Sequence, residues 1–273
     1  MQVIWKGIQE FFGWGGYTRE PEGYMSVQHL IFVSTLMVVM IGMAVLLGLT
    51  HRHKDERQKN RVLMITAIII DACELFKIVY LCFRGHDPMG WLYNLPLFLC
   101  SIQLIAIPLA AFSKGRMREA ALDFVFIFGV LGAVLGTYGA GQNYAAYPVL
   151  SFDNVVSGIT HSISGFAALY IGFSGLVSMK RKNMPVTFAI LGGFCVAAYL
   201  TNITADYNYM FLMRGDGTPY DILYNMAGGH PVFYPLGVVA LFVLYIEAFY
   251  SVLFGIRRFR SRRQNVSPSE RHG

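Results

Sequence analysis

Apolar runs of membrane-spanning length alternate along this chain with short connections that are either basic or rich in Gly, Asn, Tyr and Pro. The runs fall at 27–49, 61–83, 92–112, 120–140, 154–178, 184–205 and 232–256. About 20 predominantly apolar residues cross a hydrocarbon core, where every backbone polar group must be satisfied within its own segment. The pattern therefore predicts an all-α, polytopic membrane protein: a seven-transmembrane-helix bundle forming one domain over 1–260, with a polar, disordered tail at 261–273. Ahead of the first run, Ile4, Trp5, Ile8, Phe11 and Phe12 recur at helical spacing. That spacing predicts a short N-terminal helix lying in the membrane interface. Residues 1–20 carry neither the basic n-region nor the cleavage site of a signal peptide.

Composition agrees with this division. With 55% hydrophobic residues, 14% charged and a mean hydropathy of +0.48, the chain is too apolar for water to solvate its whole surface. A net charge of +6 would suit nucleic acid, but the basic residues sit in clusters between the apolar runs. Arg52, Lys54, Arg57, Lys59 and Arg61 occupy the first connection, Lys114, Arg116 and Arg118 the third, and Lys180, Arg181 and Lys182 the fifth. Arg257, Arg258, Arg260, Arg262, Arg263 and Arg271 follow the last run, giving 17 basic residues on one side. Lys6, Arg19, Arg84 and Arg214 are the 4 on the other. The positive-inside rule then places the N-terminus outside and the C-terminus in the cytoplasm, and the expected location is a cell membrane, multi-pass. No nucleic-acid partner is expected, and oligomeric state leaves no mark in the sequence.

The chemistry of interest lies in the polar residues inside the apolar runs. Each ionisable side chain at a helix centre costs about 2.5–3.5 kcal/mol and calls for a partner or a role. Asp71, Glu74 and Lys77 recur every three residues on the second run; the spacing allows an intrahelical ion pair, while the cost of charges facing lipid predicts that Glu74 and Lys77 point inward and find polar partners across the bundle. Cys100 and His161 each lie seven or eight residues past the outer end of an inward-running helix, about 10–12 Å deep at 1.5 Å per residue. Gln103 falls one turn below Cys100. Glu74, Lys77 and Asn202 reach similar depth on helices running the other way, and Asp206 and His29 are further candidates. Asp123 and Glu247 fall deeper or toward the cytoplasm, where packing or snorkelling suits them. Cys73, Cys82 and Cys195 read as small apolar residues. None of the four cysteines has CxxC spacing, and neither a metal site nor a cofactor motif is indicated.

Leu95-Pro96-Leu97-Phe98-Leu99-Cys100-Ser101-Ile102, the stretch Asn208-Tyr209-Met210-Phe211-Leu212, and Met25 to Leu30 together resemble the YwaF-like family of bacterial integral membrane proteins. The resemblance covers most of the chain. The family pattern carries a histidine two residues before the cysteine, where this chain has Phe98. Eukaryotic members of the wider group are membrane acyltransferases that move fatty acyl chains between phospholipids, with a cysteine and a histidine implicated. Carried across, the resemblance implies a bacterial plasma membrane and puts the cysteine at Cys100 and the histidine at His161.

The expectation is therefore acyl transfer or hydrolysis on a membrane phospholipid or other fatty-acyl lipid. Cys100 attacks the carbonyl, His161 takes and returns the proton, and Gln103 or Asn202 donates to the oxyanion. The competing expectation is a protein that binds or transports a small molecule or lipid, with Glu74, Lys77 and Asp206 coordinating it. A retinal protein fits poorly, because the last run has no lysine for a Schiff base and Lys77 is the only intramembrane one.

Overall fold

A computed structural model describes residues 2–266, without side chains for 2, 3, 257 and 260–266. Regular structure among them is entirely helical. The helices are α1 (Gln2–Phe12), α2 (Val27–His51), α3 (Glu56–Arg84), α4 (Gln103–Phe112), α5 (Gly115–Thr137), α6 (Gly141–Ala146), α7 (Phe152–Ser174), α8 (Met184–Ala205), α9 (Tyr220–Met226) and α10 (Phe233–Val266). The chain divides into two compact units, Met1–Ser178 and Met179–Gly273. The predicted tail begins six residues inside α10, and 267–273 lie outside the described residues.

Five helical segments are long and apolar enough to cross a membrane: Val27–His51, Gly115–Ala146, Phe152–Ser174, Arg181–Ala205 and Phe233–Ile256. Two of the seven predicted runs differ, each for a local reason. The second is one long helix, α3, whose apolar surface is interrupted by Asp71, Glu74 and Lys77. The third is broken. A 3-10 turn at Gly90–Asn94 gives way at Pro96 to irregular chain, and helix resumes only at Gln103. Proline disfavours helix in the residue before it and has no amide to donate. The Ser101 hydroxyl then closes the turn that starts α4, accepting from Phe98 N at 3.0 Å and donating to Phe98 O at 3.1 Å.

In the first unit α7 is the central element, packed against α2, α3 and α5. Small residues allow the helix backbones to approach closely, the usual device where lipid tails are as apolar as the helices. A methyl group on Gly129 would meet the Ala168 side chain at 2.7 Å, and one on Gly165 would meet Ala133 at 2.7 Å. The two ends of this unit are tied separately. At one end Asn60 donates to Ala111 O at 2.8 Å, Tyr170 donates to Lys59 O at 3.2 Å, and Arg118 pairs with Glu56. The basic residues at 52–61 and 114–118 all gather at this end. At the other, His29 is completely buried. It accepts from Met25 N through Nδ1, so its Nε2 carries the proton and donates to Thr137 O at 3.2 Å.

The same end holds a polar network that the sequence pattern did not announce. Arg84 and Asp153 pair through two hydrogen bonds, of 2.7 and 2.8 Å. The Tyr17 hydroxyl donates to Asp153 Oδ2, and Arg84 also donates to Phe12 O at 3.1 Å. Tyr80 donates to that same carbonyl at 2.7 Å. Phe11 and Phe12 pack on Phe152, which anchors the C-terminal half of α1, while Ile4 and Trp5 stay exposed. Burial, reinforced by Asp153, pushes the Tyr17 hydroxyl up to about 12.

In the second unit, the loop after α8 is organised by asparagines. Asn202 donates to Tyr209 O at 3.0 Å and accepts from Tyr209 N at 2.6 Å, while Asn208 bonds Arg214 O and Asp216 at 2.8 Å each. Tyr234 of α10 donates to Phe211 O at 2.6 Å.

Candidate functional site

The break in the third apolar run builds the site. Cys100 lies on the irregular turn just before α4, and Gln103 is the first residue of that helix. Opposite, α7 presents Thr160, His161 and Ser164, and α3 presents Ile70, Glu74 and Lys77. Together with Ser101 and Leu104 these residues line one cavity of about 50 Å³, room for a small polar group rather than a whole lipid.

Cys100 and His161 meet there. The thiol and the imidazole line the same cavity and interact electrostatically there. His161 Nδ1 lies 2.7 Å from the carbonyl oxygen of Ser157. A carbonyl accepts only, so Nδ1 carries the proton and Nε2 is left as the basic nitrogen. The ring is also held from behind. A methyl group on Gly136 would fall 1.8 Å from His161 Cδ2 and 2.1 Å from Nε2, so the imidazole rests directly on the α5 backbone. One turn away, a methyl on Gly132 would meet Cys100 Cα at 3.3 Å. Two glycines four residues apart on one helix thus seat both members of the pair.

Charges in the cavity neutralise one another. Lys77 Nζ pairs with Glu74 Oε1 at 2.5 Å, with their side chains 16% and 10% exposed. An ion pair within one helix lowers the cost of carrying two charges into an apolar environment. Seven residues beyond Lys77, on the same face of α3, stands Arg84. Eight residues before His161, on the same face of α7, stands Asp153. Their pair closes the seam between the two helices about two turns, roughly 11 Å, from the cavity.

Of the residues singled out from sequence, the fold brings Cys100, His161, Gln103, Glu74 and Lys77 to this one cavity. His29 is in the same unit but holds α2 to the end of α5 instead. Asn202 and Asp206 belong to the other unit. There Asn202 is occupied by Tyr209, and Asp206 is an exposed residue ending α8 in the left-handed conformation. Sequence reasoning passed over Ser164, Gly132, Gly136 and the Arg84–Asp153–Tyr17 network. The Gly132-to-Gly136 spacing was the one available signal, since small residues four apart mark close helix contacts.

A bundle of apolar helices with a thiol–imidazole pair inside it defines a membrane protein with a buried polar site. More particularly, the chain belongs to the TMEM164 family, which matches it over residues 24–255. Neither the curated proteins nor the solved structures compared with it give a match.

Proposed function

We propose that this protein transfers or hydrolyses the acyl group of a membrane lipid ester through a thioester on Cys100. The observation that supports this most is that Cys100 and His161 line one polar cavity, with the histidine tautomer fixed by Ser157 O. Burial alone raises a thiol's pKa and silences it; a histidine base is what activates one. In the proposed cycle His161 Nε2 takes the thiol proton as sulfur attacks the ester carbonyl. The imidazolium then protonates the departing alcohol. A second alcohol, or water, gives its proton to His161 as it attacks the thioester, the C–S bond breaks to release the acyl group, and His161 returns that proton to the Cys100 sulfur. The resemblance of 95–102 to YwaF-like proteins and their acyltransferase relatives points the same way.

The proposed setting is seven crossings, with α3 and the broken segment 90–112 as the two that length and apolarity alone do not identify. Irregular backbone at membrane depth is tolerated where protein covers it, and Leu97 and Ile102 within this segment are buried. The basic clusters at one end of the first unit mark the cytoplasmic side, so the cavity opens in the outer half. A reporter fused after Gly273 is then expected to read as cytoplasmic and one before Met1 as external; both on one side would remove a crossing.

The direct test uses purified protein in vesicles containing a phospholipid with a labelled acyl chain. Label is expected to move to another lipid or to free fatty acid. Uptake or retention of lipid without ester turnover would favour the binding and transport reading. In the same assay Gly136→Ala must swing the His161 ring out of place, and misplacement by about 1 Å can cost 10²-fold in rate. A loss of about that size is expected, and unchanged turnover would show that the ring position does not matter.

A further inference from the structure

Among the polar groups lining the cavity, most are satisfied. Glu74 and Lys77 hold each other, His161 is bound to Ser157 O, Ser101 is bound to Phe98, and Thr160 donates to Ser157 O at 3.0 Å. Two remain. Gln103 is 0% exposed, yet neither its Nε2 nor its Oε1 has a hydrogen-bond partner among the described residues; the Ser164 hydroxyl, in a residue 2% exposed, has none either. Buried amides and hydroxyls are almost always hydrogen-bonded, because leaving one unpaired forfeits its solvation. An apolar leucine or methionine would fill the Gln103 position without that penalty.

Their placement is equally specific. Gln103 is three residues beyond Cys100 at the start of α4, and Ser164 is three residues beyond His161 on α7. Ser164 therefore stands one turn past His161 on the same face of α7, Gln103 follows the turn that carries Cys100, and both line the same cavity.

We infer that Gln103 and Ser164 form the site that holds the substrate carbonyl oxygen, with the Gln103 amide as principal donor. The inference rests on the proposed reaction at Cys100. As the sulfur electron pair forms the C–S bond, the C=O π pair moves onto oxygen. The Gln103 Nε2–H and the Ser164 O–H stabilise that oxyanion. When the intermediate collapses, the carbonyl re-forms and the C–O bond to the alcohol breaks. The alcohol leaves with the proton that His161 took from the thiol, and Cys100 is left as a thioester. Donors fixed in advance and shielded from water act mainly on the charge that develops in the transition state.

The test compares two reactions of the same sulfur in the purified full chain. Acylation of Cys100 by p-nitrophenyl octanoate passes through an oxyanion; alkylation by iodoacetamide does not. Gln103→Leu is expected to slow acylation by about 10²–10³-fold, the effect of losing one oxyanion donor, while alkylation changes less than about twofold. Its melting temperature is expected to rise by about 2–4 °C, because an unpaired buried amide has been removed. Ser164→Ala, which removes the weaker donor with little change in volume, should slow acylation alone by about tenfold. Equal acylation by wild type and both variants overturns the inference while leaving a Cys100 thioester in place. Parallel losses of acylation and alkylation also overturn it, since the substitutions would then act on the thiol itself. A wild-type protein that is alkylated but never acylated at Cys100 overturns the proposed reaction, and this inference with it.

Discussion

Cys100→Ala and His161→Ala are each expected to lower lipid acyl turnover by at least about 10³-fold, with the double variant little worse than either single one. Residues that act as one unit lose most of their effect when any member is removed, so their losses do not add. The distinction between folding and chemistry is built into the site. Cys100 lies on an irregular turn held by Ser101 and Phe98 rather than by its own side chain, so removing the sulfur leaves the turn's hydrogen bonds in place. His161 contributes a bond to Ser157 O within its own helix, which alanine gives up at small cost. Both variants should therefore elute as folded protein in detergent with melting temperatures near wild type. Additive losses, each of tenfold or less, would mean that the two side chains contribute separately and that no proton passes between them.

The largest effect on stability is expected at Arg84. Removing one partner of a buried, doubly hydrogen-bonded charge pair leaves the other desolvated and unpaired, at a cost of about 3–5 kcal/mol. The side chains of Arg84 and Asp153 are 17% and 10% exposed, so the lower end, about 3 kcal/mol, is expected for Arg84→Ala. Arg84 also carries the contact to Phe12 O, so α1 should become more accessible to protease in the same variant. A double-mutant cycle with Asp153→Ala separates the pair from general damage, since coupled residues show a non-additive remainder. Tyr17 adds a pH dependence to this network. Its hydroxyl is raised in the folded state to about 12 from an ordinary value of 10.0, so its contribution is complete below pH 10 and disappears as pH rises through about 12. Tyr17→Phe should flatten that alkaline loss. An Arg84→Ala variant no less stable than Arg19→Ala would show that the pair holds nothing together.

Much of this architecture can be read from the sequence, and the failures have physical causes. Apolar length located α2, α5, α7, α8 and α10, because hydrocarbon burial needs only a long run of the right residues. Apolar length was uninformative at 90–112, where the run continues through Pro96 while the helix does not. That failure matters most, since the break is what presents Cys100 and begins α4 at Gln103. Depth reckoning along the helices brought Cys100, His161, Gln103, Glu74 and Lys77 to one level, and the structure gathers all five at one cavity. Depth alone does not say which helices are neighbours or which way a side chain faces. Asn202 therefore stood beside Gln103 as an oxyanion donor, although Asn202 is held by Tyr209 in the other unit. The Arg84–Asp153 pair escaped notice for a different reason. Its members are 69 residues apart, at helix ends where charges are common, and only the packing of α3 on α7 joins them.

The central claim, that Cys100 carries the acyl group, is tested most directly by catching it there. Protein incubated with a phospholipid bearing a deuterated acyl chain, quenched in acid and digested, should yield the peptide containing Cys100 with the mass of that chain added. The adduct should be released by neutral hydroxylamine, as a thioester is, and be missing from Cys100→Ala. Robust transfer of the deuterated chain with Cys100 unmodified at every quench time, or undiminished in Cys100→Ala, would contradict the account.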